Sequence, residues 1–122
     1  MDLVWVGLGG ATGAVLRFLM GAAVVKAMGG PAHLATLCVN VLGCLGLGAL
    51  LGWSGIHEPP GPTARAFLVV GVLGSFTTFS TFSWEAHDLW RAGSPLGAFG
   101  YALASLVLGL GAVWVGASWV RG

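Results

Sequence analysis

One short stretch of the chain combines aromatic rings with hydroxyl groups at a regular spacing. Residues 71–85 read Gly-Val-Leu-Gly-Ser-Phe-Thr-Thr-Phe-Ser-Thr-Phe-Ser-Trp-Glu. On a helix, Phe76, Phe79 and Phe82 fall at i, i+3 and i+6 and form one slanting stripe beside a face of hydroxyls. Such hydroxyls can donate hydrogen bonds to a passing solute, so the stretch favours a helix that lines a pathway. The alternative is a plain helix whose Ser and Thr side chains bond their own backbone while the Phe rings face lipid.

The backbone around this stretch has the means to leave a regular helix. Gly71 and Gly74 precede the hydroxyl run, and glycine lets the chain bend or unwind. The surrounding apolar segment, residues 64–90, is longer than the roughly 20 residues that cross a bilayer. A helix broken within residues 74–78 explains the excess length.

The composition of the whole chain indicates an integral membrane protein. Its 122 residues are 57% hydrophobic and only 7% charged, with a mean hydropathy of +0.91. A soluble domain is about 25% charged, and so few charges could not cover a surface that faces water. A net charge of +1 provides no electrostatic footprint for nucleic acid. No nucleophile–base pair or metal-ligand constellation stands out, so we do not expect an enzyme.

Four apolar segments divide the chain, separated by short loops that are polar or rich in Gly and Pro. Each is long enough to cross a bilayer. The sequence therefore predicts an all-α integral membrane protein in which residues 1–122 form a single four-helix domain. The segments cover residues 3–25, 34–53, 64–90 and 96–120.

A few polar side chains lie within these otherwise apolar segments. Arg17 is well inside the first, where a charge either snorkels, pairs between helices or forms an electropositive pore entrance. Asn40 is near the middle of the second and needs a partner, through an interhelical hydrogen bond or a wet cavity. In the fourth segment, Tyr101 and Ser105 lie one turn apart on the same face.

The remaining candidate groups give weaker signals. Glu85, His87 and Asp88 cluster at the exit of the third segment, and we interpret them as a helix end in water rather than a metal or proton site. Cys38 and Cys44 are six residues apart, about 9 Å along a helix, which is too far for a disulfide. We interpret both cysteines as small buried apolar residues.

Basic residues are distributed evenly between the two sides of a four-span chain. Arg65 and Arg121 lie on one side, and Lys26 and Arg91 lie on the other, where Arg17 adds a third if it is assigned there. An excess of Lys and Arg in cytoplasmic loops normally sets orientation. The near balance predicts insertion in both orientations and an antiparallel pair related by a two-fold axis in the membrane plane.

Together these features resemble the Fluc (CrcB) family of small fluoride channels, and the resemblance covers the full chain. It implies a passive, fluoride-selective channel in a prokaryotic plasma membrane that exports cytoplasmic fluoride and reduces its toxicity. It also implies a dual-topology antiparallel homodimer, embedded in lipid, with two pores and a third helix broken at the dimer centre. The motifs that carry the resemblance are residues 10–17, Gly-Ala-Thr-Gly-Ala-Val-Leu-Arg, residues 40–43, Asn-Val-Leu-Gly, and residues 74–83, Gly-Ser-Phe-Thr-Thr-Phe-Ser-Thr-Phe-Ser.

The resemblance also assigns roles to individual residues. Backbone carbonyls of Gly74 and Thr77 would hold a structural sodium ion at the dimer centre. Phe79 and Phe82 would present their positive ring edges to fluoride, and Asn40 would be the pore-lining amide. Further polar lining of the ion pathway would come from Ser80, Thr81, Tyr101 and Ser105, with Arg17 near an entrance. On the fourth helix, Gly109 and Gly111 follow Ser105 where the family often carries more hydroxyls.

Two other functions fit a small four-span chain. A small multidrug-type exporter exchanges protons through a carboxylate inside the membrane, and Glu85 is the one candidate for that role. A non-transporting membrane bundle predicts no ion flux and tolerance of changes at Phe79 and Phe82.

Overall fold

Long helices make up almost all of the molecule. The computed structural model describes residues 2–122, and within them no strand occurs. Four stretches are long and apolar enough to cross a membrane: Asp2–Met28, Ala32–Ser54, Pro62–Arg91 and Pro95–Arg121. The prediction of an all-helical chain with four spans is confirmed. In chain order the helices are α1 (Asp2–Met28), α2 (Ala32–Ser54), α3 (Pro62–Arg65), α4 (Gly74–Phe76), α5 (Phe79–Arg91) and α6 (Pro95–Arg121), with a π-helical segment over Ala66–Leu73 between α3 and α4.

Glycine and proline set the tight connections between spans. Gly29 follows the last residue of α1 with φ of +60°, and Gly93 lies between α5 and α6 with φ of +83°. Glycine reaches this left-handed region without the penalty that a Cβ brings, which is why it commonly ends helices. Pro95 then occupies the first turn of α6, where a missing N–H costs nothing.

Helix α1 lies directly against the third span at positions where neither backbone leaves room for a side chain. A Cβ on Gly9 would meet the carbonyl oxygen of Phe67, and one on Gly13 would meet that of Val72. From the opposite side, a Cβ on Gly71 would meet Gly9 itself. Small residues permit this close approach in membrane proteins, where apolar burial does not drive helix association.

The α2–α6 pair is packed in the same way. A Cβ on Gly48 would meet the backbone of Val113, and one on Gly116 would meet the carbonyl of Leu45. The molecule is therefore two tightly packed helix pairs, α1 with the third span and α2 with α6, and α2 also contacts α1 and α5.

The third span is not one regular α-helix. Its first half contains the π-helical segment Ala66–Leu73, a wider turn that often occurs beside functional sites. Helix α4 ends at Phe76 and α5 begins at Phe79. Between them Thr77 (φ −83°, ψ 157°) and Thr78 (φ −149°, ψ 113°) have extended backbone. We call Thr77 and Thr78 the interruption.

Candidate functional site

The interruption is held by a side chain from another span. Asn40 Nδ2 donates to the carbonyl oxygen of Thr78 at 3.0 Å, and the Thr78 N–H donates to Asn40 Oδ1 at 2.8 Å. Because one contact requires an N–H and the other an oxygen, the pair fixes the orientation of the amide. Thr78 is only 8% exposed, so these bonds pair backbone groups that would otherwise be buried without partners.

The same bonds release two carbonyl groups from helical pairing. In a continuous α-helix, the N–H of Thr78 would donate to the carbonyl of Gly74, and the N–H of Thr81 to that of Thr77. The Thr78 N–H donates instead to Asn40, and the Thr81 N–H donates to Thr78 Oγ1 at 3.3 Å. Gly74 and Thr77 therefore lack these helical donors, and Thr78 acts as the N-cap of α5.

A cavity of about 440 Å³ lies beside the interruption, between α2, the third span and α6. We call it the first cavity. It brings together six of the ten residues that the sequence assigned to the ion pathway or to a metal: Asn40, Gly74, Thr77, Phe79, Phe82 and Ser105.

Aromatic rings and one hydroxyl define the chemistry of the first cavity. The Phe79 and Phe82 rings lie 5.5 Å apart, centroid to centroid, with their planes tilted by 44°. Ser105 Oγ is buried and has no hydrogen-bond partner within residues 2–122. A buried hydroxyl without a partner is unfavourable, so Ser105 has a free donor and free lone pairs for water or a solute.

A second cavity of about 570 Å³ lies between α1, α2 and α5. Its wall includes the two basic side chains Arg17 and Lys26, the hydroxyl of Thr81 and the carboxylate of Glu85. Thr78 lines both cavities. The interruption is thus the structural element common to the aromatic cavity and the charged one.

Glu85 links three spans. Thr36 Oγ1 donates to Glu85 Oε1 at 2.8 Å, and the Tyr101 hydroxyl donates to Glu85 Oε2 at 2.7 Å. These donors come from α2 and α6, so the carboxylate joins both helices to α5. The expectation that Glu85 is a solvated helix end is wrong, because both of its oxygens accept bonds from buried donors.

Sequence reasoning did not single out Thr36, although a signal was present. Thr36 and Asn40 are separated by four residues and lie on one face of α2. A second polar residue on the face that carries Asn40 could have identified this position. Thr36 is 8% exposed and lines the second cavity.

Two residues predicted for the pathway lie apart from the cavity walls. Within residues 2–122, neither Ser80 nor Tyr101 lines either of the two cavities. Ser80 is exposed, with its hydroxyl oxygen 3.4 Å from that of Thr78. Tyr101 is buried, and its ring lies 5.1 Å from that of Phe82 and 5.1 Å from that of His33.

The fold and the site define a multi-pass membrane protein in which an interrupted third span separates an aromatic cavity from a charged one. The family model described as CrcB-like protein, Camphor Resistance (CrcB), matches residues 4–117. The chain belongs to this family.

Several relatives match nearly the full chain, and each is named Fluoride-specific ion channel FluC. The relative from Solibacter usitatus (strain Ellin6076) is 38% identical over 121 residues, which is 99% of both chains. That from Rhodospirillum centenum (strain ATCC 51521 / SW) is 40% identical over 116 residues, 95% of this chain and 92% of the relative. The relative from Chloroflexus aurantiacus (strain ATCC 29366 / DSM 635 / J-10-fl) is 40% identical over 115 residues, which is 94% of this chain and 91% of the relative. With its four spans, the chain is a multi-pass protein of a prokaryotic plasma membrane.

Proposed function

We propose that this protein is a passive, fluoride-selective ion channel that lets cytoplasmic fluoride leave the cell and so reduces its toxicity. The observation that carries the proposal is the first cavity, where two Phe rings, an amide and an unpartnered buried hydroxyl meet. Relatives that match nearly the full chain carry the name of a fluoride-specific ion channel, which supports the same function.

The first cavity offers what a small, strongly hydrated anion needs in place of water. Ser105 has a free hydroxyl donor. Asn40 uses one Nδ2 hydrogen on Thr78 and retains the other. The edges of Phe79 and Phe82 carry partial positive charge. These are weak, distributed attractions, so an anion can enter and also leave.

The second cavity supplies an electropositive entrance. Arg17 and Lys26 line it, and basic residues in a cleft raise the local concentration of anions. Thr81 then provides a hydroxyl donor in the wall of this cavity, because its oxygen accepts from the Thr78 hydroxyl at 3.0 Å and its own hydrogen is not used in that bond. In this account, the anion passes from basic side chains to neutral donors, and within residues 2–122 no Lys or Arg side chain lines the first cavity to trap it.

A structural sodium ion is part of the proposal, held by the backbone carbonyls of Gly74 and Thr77. Both carbonyls have lost their usual i+4 donors to Asn40 and Thr78. The Thr77 N–H donates to Leu73, so it does not pair Gly74 either. Unwound carbonyls inside a membrane protein suit sodium. A bound sodium would supply a fixed positive charge that offsets the cost of bringing an anion near.

An antiparallel homodimer completes the proposal, with the interruption at membrane depth near its centre. The even distribution of Lys and Arg supports insertion in both orientations. Phe79 lines the first cavity and yet is 79% exposed on a single chain, so a second copy would cover it. One four-helix chain leaves the aromatic part of the pathway without an outer wall.

The alternative functions have no comparable support. The matched family and relatives do not favour a proton-coupled exporter or a non-transporting bundle. Glu85 would be the coupling carboxylate of an exporter, but both of its oxygens already accept hydrogen bonds within the protein.

Anion efflux from liposomes that contain only the purified protein tests the proposal. We expect rapid loss of fluoride and negligible loss of chloride under the same potential. Protein that is shown to be dimeric and folded but releases no fluoride would rule the function out.

A further inference from the structure

The interruption rests against one turn of α2. Asn40 bonds the backbone of Thr78 through both of its amide atoms. Gly43, three residues later on the same face, lies under the interruption: a Cβ there would meet Thr77 Cγ2 and approach Phe76 Cδ1 to 3.2 Å. This turn of α2 thus provides both a polar partner and the space for the interruption.

We infer that Asn40 is a positioning residue that keeps the third span interrupted and thereby keeps the Gly74 carbonyl free for a cation. The inference rests on the proposed function and extends it, since lining a pathway does not require both amide atoms to bond the backbone of Thr78. In this role, Asn40 acts on the cation only through the backbone of Thr78 and Gly74.

The reason lies in the competition for a single N–H group. The Thr78 N–H can donate to Asn40 Oδ1, as it does here at 2.8 Å, or to the Gly74 carbonyl, as in a continuous α-helix. Asn40 presents a donor and an acceptor side by side, like a peptide group, and so satisfies the Thr78 N–H and C=O together. If the amide is removed, both groups would be buried without partners, which is costly. The nearest remedy is helical pairing of Thr78 with Gly74.

Helical pairing would have a direct consequence for the cation site. Once the Gly74 carbonyl accepts the Thr78 N–H, its oxygen points along the helix toward that donor. The lone pair used in this bond is then lost to a cation. The Asn40→Ala protein should therefore lose cation binding even though no proposed cation ligand has been changed.

Selective labelling makes the Thr78 N–H and the Gly74 carbonyl visible by NMR in the full-length protein. Thr77–Thr78 is the one Thr–Thr pair in the sequence, so threonine labelled with ¹³C′ and ¹⁵N gives a single carbonyl–amide correlation, that of the Thr78 N–H. Glycine labelled with ¹³C′ and serine labelled with ¹⁵N give two correlations, from Gly74–Ser75 and Gly93–Ser94. The second pair lies in the α5–α6 turn and serves as an internal reference.

The protein is kept in detergent, and its spectra are recorded once in sodium chloride and once in choline chloride. In the parent protein we expect the Gly74 carbonyl signal to shift between the two salts and the Gly93 signal to stay. In Asn40→Ala, the Gly74 and Thr78 signals should move from their parental positions and the sodium response should disappear. Leu42→Ala is the matched control, since Leu42 is on the same turn of α2 and 44% exposed, and it should give parental spectra.

Parental Thr78 and Gly74 signals in a folded Asn40→Ala protein would overturn the inference. If that variant does not fold, Asn40→Asp decides, because a carboxyl oxygen still accepts from the Thr78 N–H. We expect its Thr78 signal to show parental protection from hydrogen exchange, and loss of protection would contradict the inference. If the Gly74 carbonyl signal of the parent protein does not change with sodium, the proposed sodium site is ruled out instead. The Thr78 signals of the parent and Asn40→Ala proteins, compared in choline chloride, would still test the role of Asn40.

Discussion

Tyr101 donates its phenolic hydrogen to Glu85 Oε2 at 2.7 Å. The same Tyr101 ring packs against Phe82 at 5.1 Å, so the carboxylate on α5 fixes a tyrosine on α6 that in turn supports a wall of the first cavity. Thr36 engages the other oxygen of Glu85. A carboxylate near an anion pathway would repel its solute, and these two donors stabilise its charge within the protein.

Tyr101→Phe should weaken this link while keeping the aromatic ring. A hydrogen bond to a charged group contributes about 1.5–3 kcal/mol to stability, so we expect lower thermal stability. Fluoride efflux should also slow, because the ring that supports Phe82 is no longer held by Glu85. Ser83→Ala is the control, since the Ser83 hydroxyl is exposed and bonds only the Phe79 carbonyl of its own helix. Equal stability and flux in the two variants would show that the bond to Glu85 has no role.

Phe82→Ile should remove the ring edge from the first cavity without removing the bulk that supports Tyr101. We expect fluoride efflux to fall at least about tenfold, since no aliphatic group presents the positive edge of an aromatic ring. Size-exclusion chromatography should still show a dimer. Phe99→Ile on the exposed face of α6 is the matched control and should conduct normally. Unaltered flux in Phe82→Ile would remove this ring from its proposed role.

Asn40→Asp should place a negative charge beside the pathway while still accepting from the Thr78 N–H. We expect weaker fluoride passage, because like charges repel strongly where water is scarce. The carboxyl group ionises as pH rises, so the defect should grow with pH in efflux measured over a pH series. Full conduction at a pH where spectroscopy shows the carboxyl to be ionised would contradict the prediction.

Gly13→Ala should destabilise the packing of α1 on the third span. Its Cβ would meet the Val72 carbonyl, whereas a Cβ on Gly7 of the same helix would meet nothing within 4 Å. Gly7→Ala should instead be neutral or stabilise the helix by up to about 1 kcal/mol. Thermal unfolding followed by tryptophan fluorescence compares the two variants. A Gly13→Ala protein as stable as Gly7→Ala would mean that the close approach of α1 is not required.

The membrane architecture could be predicted from the sequence because it depends on local composition. Long apolar segments and the Gly and Pro residues between them specify four helices whatever their neighbours are. The hydroxyl and Phe pattern of residues 76–83 also drew attention to the segment that contains the interruption. These patterns involve residues that are close together in the sequence, so they can be recognised without knowing which helices pack together.

The partners of Asn40 and Glu85 could not be predicted, because they depend on contacts between distant parts of the chain. Asn40 meets Thr78 across 38 residues, and Glu85 meets Thr36 across 49. A carboxylate at the end of an apolar segment looks the same in sequence whether it faces water or two hydroxyls. Only the packing of α2 and α6 around α5 distinguishes these cases.

The most direct test of passive fluoride conduction is fluoride efflux from potassium-loaded liposomes, measured with a fluoride electrode before and after valinomycin is added. A channel moves charge, so efflux should remain slow until valinomycin lets potassium follow and should then become rapid. Chloride-loaded liposomes should release little under the same conditions. Fluoride efflux that is unaffected by valinomycin but depends on an imposed proton gradient would contradict a passive channel. Chloride efflux as fast as fluoride efflux would contradict fluoride selectivity.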